Sequence, residues 1–230
     1  MHLEQTAELR DEVCKFSLSA GKNLSMKVES NSALLIHWLE YLSSFHKTGV
    51  ADALLDAVAS SVREVAGGLS LGLARQALFS MRGQVDLLLA WLYFKDHGVE
   101  WAHVNETADG FKLKKDLLQY LEQHISKFGM RFGILRQTIT RRELDPYRLL
   151  SAHIHAQSDS VLPAVINLKD LVQSADACFE CAQVAFEVVE YLNDILLAAF
   201  TFNWAALPEP IKSAMNSRFH SPEQRRTFFA

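Results

Sequence analysis

The sequence has few of the residues that staple small domains or interrupt helices. It contains 3 cysteines, 5 prolines and 10 glycines among 230 residues. An odd and small number of cysteines excludes a disulfide-stapled scaffold and is typical of the reducing cytoplasm. The low proline and glycine content excludes a collagen-like chain, and a hydrophobic fraction of 49% excludes an intrinsically disordered one. We therefore predict a soluble, globular, cytoplasmic protein.

Long apolar runs are also missing. No stretch approaches the ~18 uninterrupted apolar residues that a membrane-spanning helix needs. The first residues, MHLEQTAELRDE, are polar and lack the apolar core of a signal peptide. The sequence therefore predicts no membrane association.

Alternation of apolar and polar residues, the signal of a half-buried strand, is absent, and helical spacing dominates. Two hydrophobic segments, about 70–97 and 168–202, repeat apolar residues at intervals of three and four, which predicts long buried helices. Shorter helices are predicted at about 3–16, 33–46, 50–66 and 113–127, with a polar loop at 17–32. We predict an all-α protein, a single helical bundle over residues 1–230 built around the two long helices. Its core is expected at about 33–202, followed by a short helical tail at 203–230.

Charge is unevenly distributed along the chain. The formal net charge is −4, yet from Lys112 to Arg148 nine basic residues accompany four acidic ones. Such a basic segment is either a solvated helix face or a surface that contacts a phosphate backbone. The candidates for RNA contact are four arginines of this segment: Arg131, Arg136, Arg141 and Arg142.

Two motifs contain the residue types that bind metals, and each has a structural alternative. Cys178 and Cys181 have CxxC spacing, but no second pair supplies the remaining ligands of a zinc site, so we predict core packing. Glu187, Glu190 and Asp194 share one helix face. That face either supplies a di-metal centre, is solvated, or pairs with the basic segment. We predict neither a metal nor another cofactor.

The segment Asp145-Pro-Tyr-Arg-Leu-Leu-Ser-Ala-His-Ile-His155 combines a helix-start signal with chemically useful side chains. Asp favours the cap and proline the first position of a helix. At ~100° per residue, Arg148 and His155 lie within about 20° of each other, two turns apart. Guanidinium binds phosphate oxygens and imidazole moves protons near neutral pH, so this face suits phosphate chemistry. The alternative is that both residues pair with neighbouring carboxylates.

The spacing of Arg148 to His153 or His155 resembles the Arg-x4–6-His signature of HEPN proteins, small helical bundles of bacterial toxins and defence systems. The surroundings are similar as well, because the motif opens a short helix ahead of a long hydrophobic one. In a group of bacterial HEPN-like proteins, an earlier long helix has an Arg and an acidic residue one turn apart. Arg82 and Asp86 hold these places here and share a flank with Arg75, where we expect all three to be half-buried.

The resemblance implies a metal-independent endoribonuclease that acts as a homodimer, with the two motifs facing each other across the interface. The RNA 2′-OH would attack the neighbouring phosphate, and the candidate catalytic residues are Arg148, His155, His153 and Ser151. Helical geometry favours His155 over His153. Arg82 and Asp86 would orient these groups from behind. An antitoxin or a defence-system protein is the implied partner.

A second interpretation stays open beside the enzyme. Many HEPN proteins lack nuclease activity and act as scaffolds that bind a partner protein or a nucleotide. Leu149 follows Arg148 at a position where HEPN nucleases often have Asn, Asp or His. The alternative to a ribonuclease is therefore a catalytically inactive HEPN-like scaffold.

Overall fold

A computed structural model describes residues 2–162 and 164–230 of the chain. Within these residues the secondary structure is helical and contains no strand, which confirms the prediction of an all-α protein. The α-helices are α1 (His2–Phe16), α2 (Lys22–Phe45), α3 (Ala53–Ser70), α4 (Ala74–Phe94), α5 (Gly98–Thr107), α6 (Lys114–His124), α7 (Phe128–Gln137), α8 (Pro146–Ile154), α9 (Ala175–Phe200), α10 (Glu209–Asn216) and α11 (Pro222–Phe229). None of the helices in this described part is both long and apolar enough to cross a membrane.

The stretch 17–32 is helical, so the prediction of a loop there is wrong. Ser17–Gly21 forms a π-helical turn that joins α1 to α2. Leu24 and Val28, one turn apart, are fully buried. Their apolar stripe is interrupted by polar and charged neighbours, which lowered the average hydrophobicity and concealed the helical period.

The two long hydrophobic helices exist, with shorter bounds than predicted. The first is α4, which begins after Gly72; this glycine adopts a left-handed conformation (φ 80°) between α3 and α4. The second is α9, which is preceded by a separate 3₁₀ turn at Leu168–Leu171. A capping box between Asn167 and Asp170 fixes that turn, because each side chain accepts a backbone N–H of the other residue.

The chain divides into two compact units, each assembled from three separate stretches. Unit 1 comprises Met1–Ala33, Ser60–Gln84 and Asp145–Val188, and unit 2 comprises Leu34–Ala59, Val85–Leu144 and Val189–Ala230. Four helices, α2, α3, α4 and α9, contribute residues to both. This division does not test whether residues 1–230 form a single domain, which stays a prediction.

Unit 1 contains α8 and the residues that support it. α1 packs against the 3₁₀ turn Leu168–Leu171, where Lys169 forms an ion pair with Glu8 at 2.9 Å. The Asn31 side-chain amide donates a hydrogen bond to the carbonyl oxygen of Ala182, at 2.7 Å. The apolar core of this unit includes Leu24, Val28, Leu69, Ala77, Met81, Leu150, Cys178 and Ala182.

Unit 2 has a core of large aromatic and aliphatic side chains. Trp38 is fully buried, and its indole N–H donates to the Asn193 side chain at 2.9 Å, which satisfies both polar groups. α11 packs against α7 and buries Phe228 completely. Other buried members are Leu42, Val58, Leu88, Trp91, Phe94, Leu192, Ile195 and Ile211.

Candidate active site

α8 carries the predicted motif where the sequence places it. Pro146 occupies its first turn and Leu150 is buried, so one side of the helix faces the protein interior. The backbone N–H of His155 donates to the carbonyl oxygen of Ser151 at 2.9 Å, which extends the helical hydrogen bonding to His155. The chain then turns at Ala156, which is left-handed (φ 48°). Two helical turns therefore separate Arg148 from His155, as predicted.

Arg148 and His155 are both exposed. Within the described residues, neither side chain forms a hydrogen bond or an ion pair. Both groups are therefore available to a ligand, and neither pairs with a neighbouring carboxylate. A guanidinium and an imidazole in this position can contact a phosphate and exchange a proton with it or with a neighbouring hydroxyl.

Arg82 of α4 anchors α8 from behind. Its Nε–H donates to the Ser151 hydroxyl oxygen at 3.2 Å, and its guanidinium carbon lies 3.6 Å from the centre of the Tyr147 ring. Burial lowers the pKa of Arg82 and raises the pKa of Tyr147. The guanidinium still stays charged at neutral pH, because an arginine pKa lies far above 7. The structure thus brings Arg82 to the motif through Ser151 and Tyr147, while Asp86 belongs to unit 2.

Tyr147→Leu is expected to lower the free energy of unfolding by about 1–2 kcal/mol, because it removes the ring under a half-buried guanidinium. Tyr147→Phe keeps the ring and is expected to cost less than half as much. Urea unfolding of both variants measures the difference. Equal losses would show that the ring face does not bind Arg82.

His153 has a different environment from His155. It is half-buried beside a cavity of about 330 Å³ that Arg75 and Cys181 also line. Arg75 donates to the carbonyl oxygens of His153 and Val161, each at 3.0 Å. Burial, together with the charge of Arg75, lowers the pKa of His153. Its imidazole is therefore neutral at pH 7, and it lines the cavity on the α8 side.

The sequence predicted some of the residues that hold α8 in place and not others. Arg75 and Arg82 are half-buried on one flank of α4, as predicted, and so is Asp86. Tyr147 had no predicted role, although an aromatic residue directly before Arg148 is a signal that could have suggested one. The role of Arg75 as a donor to the carbonyl oxygens of His153 and Val161 depends on the path of residues 153–161, which periodicity does not define.

The four arginines predicted to contact RNA have different environments. Arg136 and Arg142 are exposed and can contact a phosphate backbone. Arg131 and Arg141 are buried, at 9% and 4% exposure. Arg141 therefore presents no surface from which to contact RNA, and the basic segment is not one continuous basic face.

Arg141 belongs to a buried cluster of charges in unit 2. Its Nη1 lies 2.7 Å from Asp194, which also contacts the guanidinium of Arg218. Glu190 accepts the backbone N–H of Arg141 at 2.8 Å and that of Thr140 at 2.9 Å. Burial raises the pKa of Asp194, against the opposing attraction of the two guanidiniums. Glu190 and Asp194 thus pair with the basic segment, which was one of the three alternatives for this helix face. Glu187 is buried on the same helix.

The two CxxC cysteines have the environment of packing residues. Cys178 is buried, and burial raises the pKa of its thiol to about 11. Burial likewise raises the pKa of Cys181 to about 12. Both thiols are therefore protonated and unreactive at neutral pH. In the part of the chain that the structure describes, no group of three or more His, Cys, Asp or Glu residues could hold a metal ion.

Comparisons with known proteins identify no relative of this chain. The chain matches no family model, no curated protein and no solved structure. Function is therefore inferred from the motif and from the geometry around α8.

Proposed function

We propose that the protein is a HEPN-like, metal-independent endoribonuclease whose active site is the exposed face of α8. The observation that carries this proposal is the joint exposure of Arg148 and His155, two turns apart and both without a protein partner among the described residues. A half-buried anchor, formed by Arg82, Tyr147 and Ser151, holds the same helix in place. Rigid support of exposed polar groups is typical of a catalytic site.

In the proposed reaction, His155 takes the proton from an RNA 2′-OH, whose oxygen then attacks the adjacent phosphorus. The P–O5′ bond breaks, which leaves a 2′,3′-cyclic phosphate on one product and a 5′-hydroxyl on the other. Arg148 stabilises the additional negative charge of the pentacovalent phosphate with two parallel hydrogen bonds. The leaving 5′ oxygen receives its proton from a protonated imidazole of a second copy of the chain, which is the reason for proposing a homodimer.

The supporting residues have separate roles in this proposal. Ser151 and Arg82 are positioning residues, because they set the orientation of α8 without reaching the phosphate. His153 stays neutral and structural. Arg136 and Arg142 are exposed cations that can bind the RNA backbone, which would make substrate affinity depend on salt concentration.

The test uses the full chain, excess EDTA and paired single-stranded oligonucleotides that differ at one 2′ position. We expect cleavage of the all-RNA strand, a cyclic phosphate at the new 3′ end, and no cleavage where the 2′-OH is replaced by hydrogen. Cleavage at the deoxy position would contradict the 2′-OH mechanism. No cleavage of any RNA, even at high protein concentration, would favour the inactive scaffold that binds a partner protein or a nucleotide.

A further inference from the structure

A solvent-open cavity of about 440 Å³ lies in unit 2, and none of its lining residues belongs to α8. It is lined by the end of α6, the α6–α7 turn, α7 and the turn that follows α9: His124, Ile125, Ser126, Lys127, Arg131 and Phe202. The volume falls in the ~300–1,000 Å³ range of small-molecule sites. None of the lining residues is acidic, so the cavity has a positive character.

Arg131 is the most informative residue of this cavity. Its side chain is only 9% exposed, yet its contacts are two carbonyl oxygens, those of Phe228 (3.3 Å) and Ser126 (3.5 Å). Burial lowers the pKa of Arg131, and no carboxylate in the described chain opposes that shift. A buried charge without a counter-charge is costly. An anion that enters the cavity would supply the missing counter-charge.

The other lining residues extend the site in two directions. Lys127 is exposed at the rim, and its ammonium contacts a main-chain oxygen of Ala230, the last residue of the chain. Phe202 is 66% exposed, and its ring stacks on Phe200 with centroids 6.2 Å apart. An exposed large aromatic ring beside cations is suited to a ligand that has both a phosphate and a planar base.

We infer that this cavity binds a nucleoside monophosphate. The phosphate pairs with Arg131 and Lys127, and the base stacks on the exposed face of Phe202. The imidazole of His124 lies at the same rim and closes the cavity on the α6 side. This inference does not depend on ribonuclease activity, because binding at this cavity requires no reaction at α8.

The test is calorimetric titration of the full chain with adenosine 5′-monophosphate and, separately, with ribose 5-phosphate. We expect the nucleotide to bind with a dissociation constant below about 1 mM. We expect ribose 5-phosphate to bind more weakly, because it lacks the base. Failure of the nucleotide to bind at about 10 mM overturns the inference, as does a short RNA that binds this cavity while the mononucleotide does not.

Two variants separate the contributions of charge and stacking. Arg131→Met is expected to weaken both ligands about tenfold or more, because it removes the charge and keeps the apolar stem. Phe202→Ala is expected to weaken the nucleotide about fivefold or more and to leave ribose 5-phosphate within about twofold. Lys115→Met, at an exposed position of α6 outside the cavity lining, is the matched control and should change neither affinity.

If Arg131→Met fails to fold, the affinities of Phe202→Ala for the two ligands still test whether the base stacks on Phe202. Phe202 is exposed, so its replacement leaves the core intact. An equal effect of Phe202→Ala on both ligands, or none on either, would contradict the proposed stacking and overturn the assignment of a nucleotide.

Discussion

Asp194→Asn is expected to lower the free energy of unfolding by about 3–5 kcal/mol, because it removes one partner of a buried ion-pair cluster. The Asp194 side chain is completely buried between the guanidiniums of Arg141 and Arg218. An amide of the same size creates no cavity, but it removes a negative charge that both guanidiniums share, and Glu190 then has to balance the two of them. Chemical denaturation monitored by far-UV circular dichroism measures the loss.

The matched control is Asp176→Asn, because Asp176 lies on the same helix in an exposed position. Its carboxylate is in the first turn of α9, where it interacts with the helix dipole, so its loss should cost only a few tenths of a kcal/mol. If the two substitutions reduce stability to the same extent, the buried cluster does not stabilise the fold as described.

His155→Ala is expected to reduce RNA cleavage by about 10²–10⁴-fold, the usual contribution of a general base. Arg148→Ala is expected to reduce it by about 10²–10³-fold, since the charge of the pentacovalent phosphate then lacks its strongest donor. Single-turnover cleavage of a labelled RNA, with enzyme in excess, measures both effects on the chemical step.

His153→Gln is the variant that shows which of the two histidines transfers the proton. His153 is half-buried and its pKa is lowered by burial and by Arg75, so its replacement should change the cleavage rate by less than about tenfold. Unfolding measurements should show that the Arg148 and His155 variants are as stable as the wild-type protein, because both side chains are exposed. A rate loss that follows His153 instead would assign the proton transfer to that residue.

Local sequence signals predicted the elements that depend on local physics. Asp145 and Pro146 marked the start of α8, and the spacing of Arg148 and His155 predicted their common face. The apolar period predicted α4 and α9. These features depend on capping preferences and on 3.6-residue periodicity, which are properties of neighbouring residues.

The environment of the basic segment could not be predicted in the same way. Arg141 is 53 residues from Asp194, and Arg218 is 24 residues from it, so their contacts depend on tertiary packing. The sequence does not distinguish the environments of Arg131, Arg136 and Arg141, yet only Arg136 of these three is exposed. Arg218 lies in the predicted helical tail at 203–230, and no local signal marks it as the second partner of Asp194.

The discontinuous composition of the two units has a consequence for biosynthesis. Unit 1 needs residues as late as 188 and unit 2 needs the stretch that begins at 189, so neither can be completed before the ribosome has translated residue 188. Apolar segments made early, such as those of α2 and α4, must remain without their final neighbours until then. Nascent chains in that state are prone to aggregate, and we expect the yield of folded protein to rise with a lower expression level or with added chaperone.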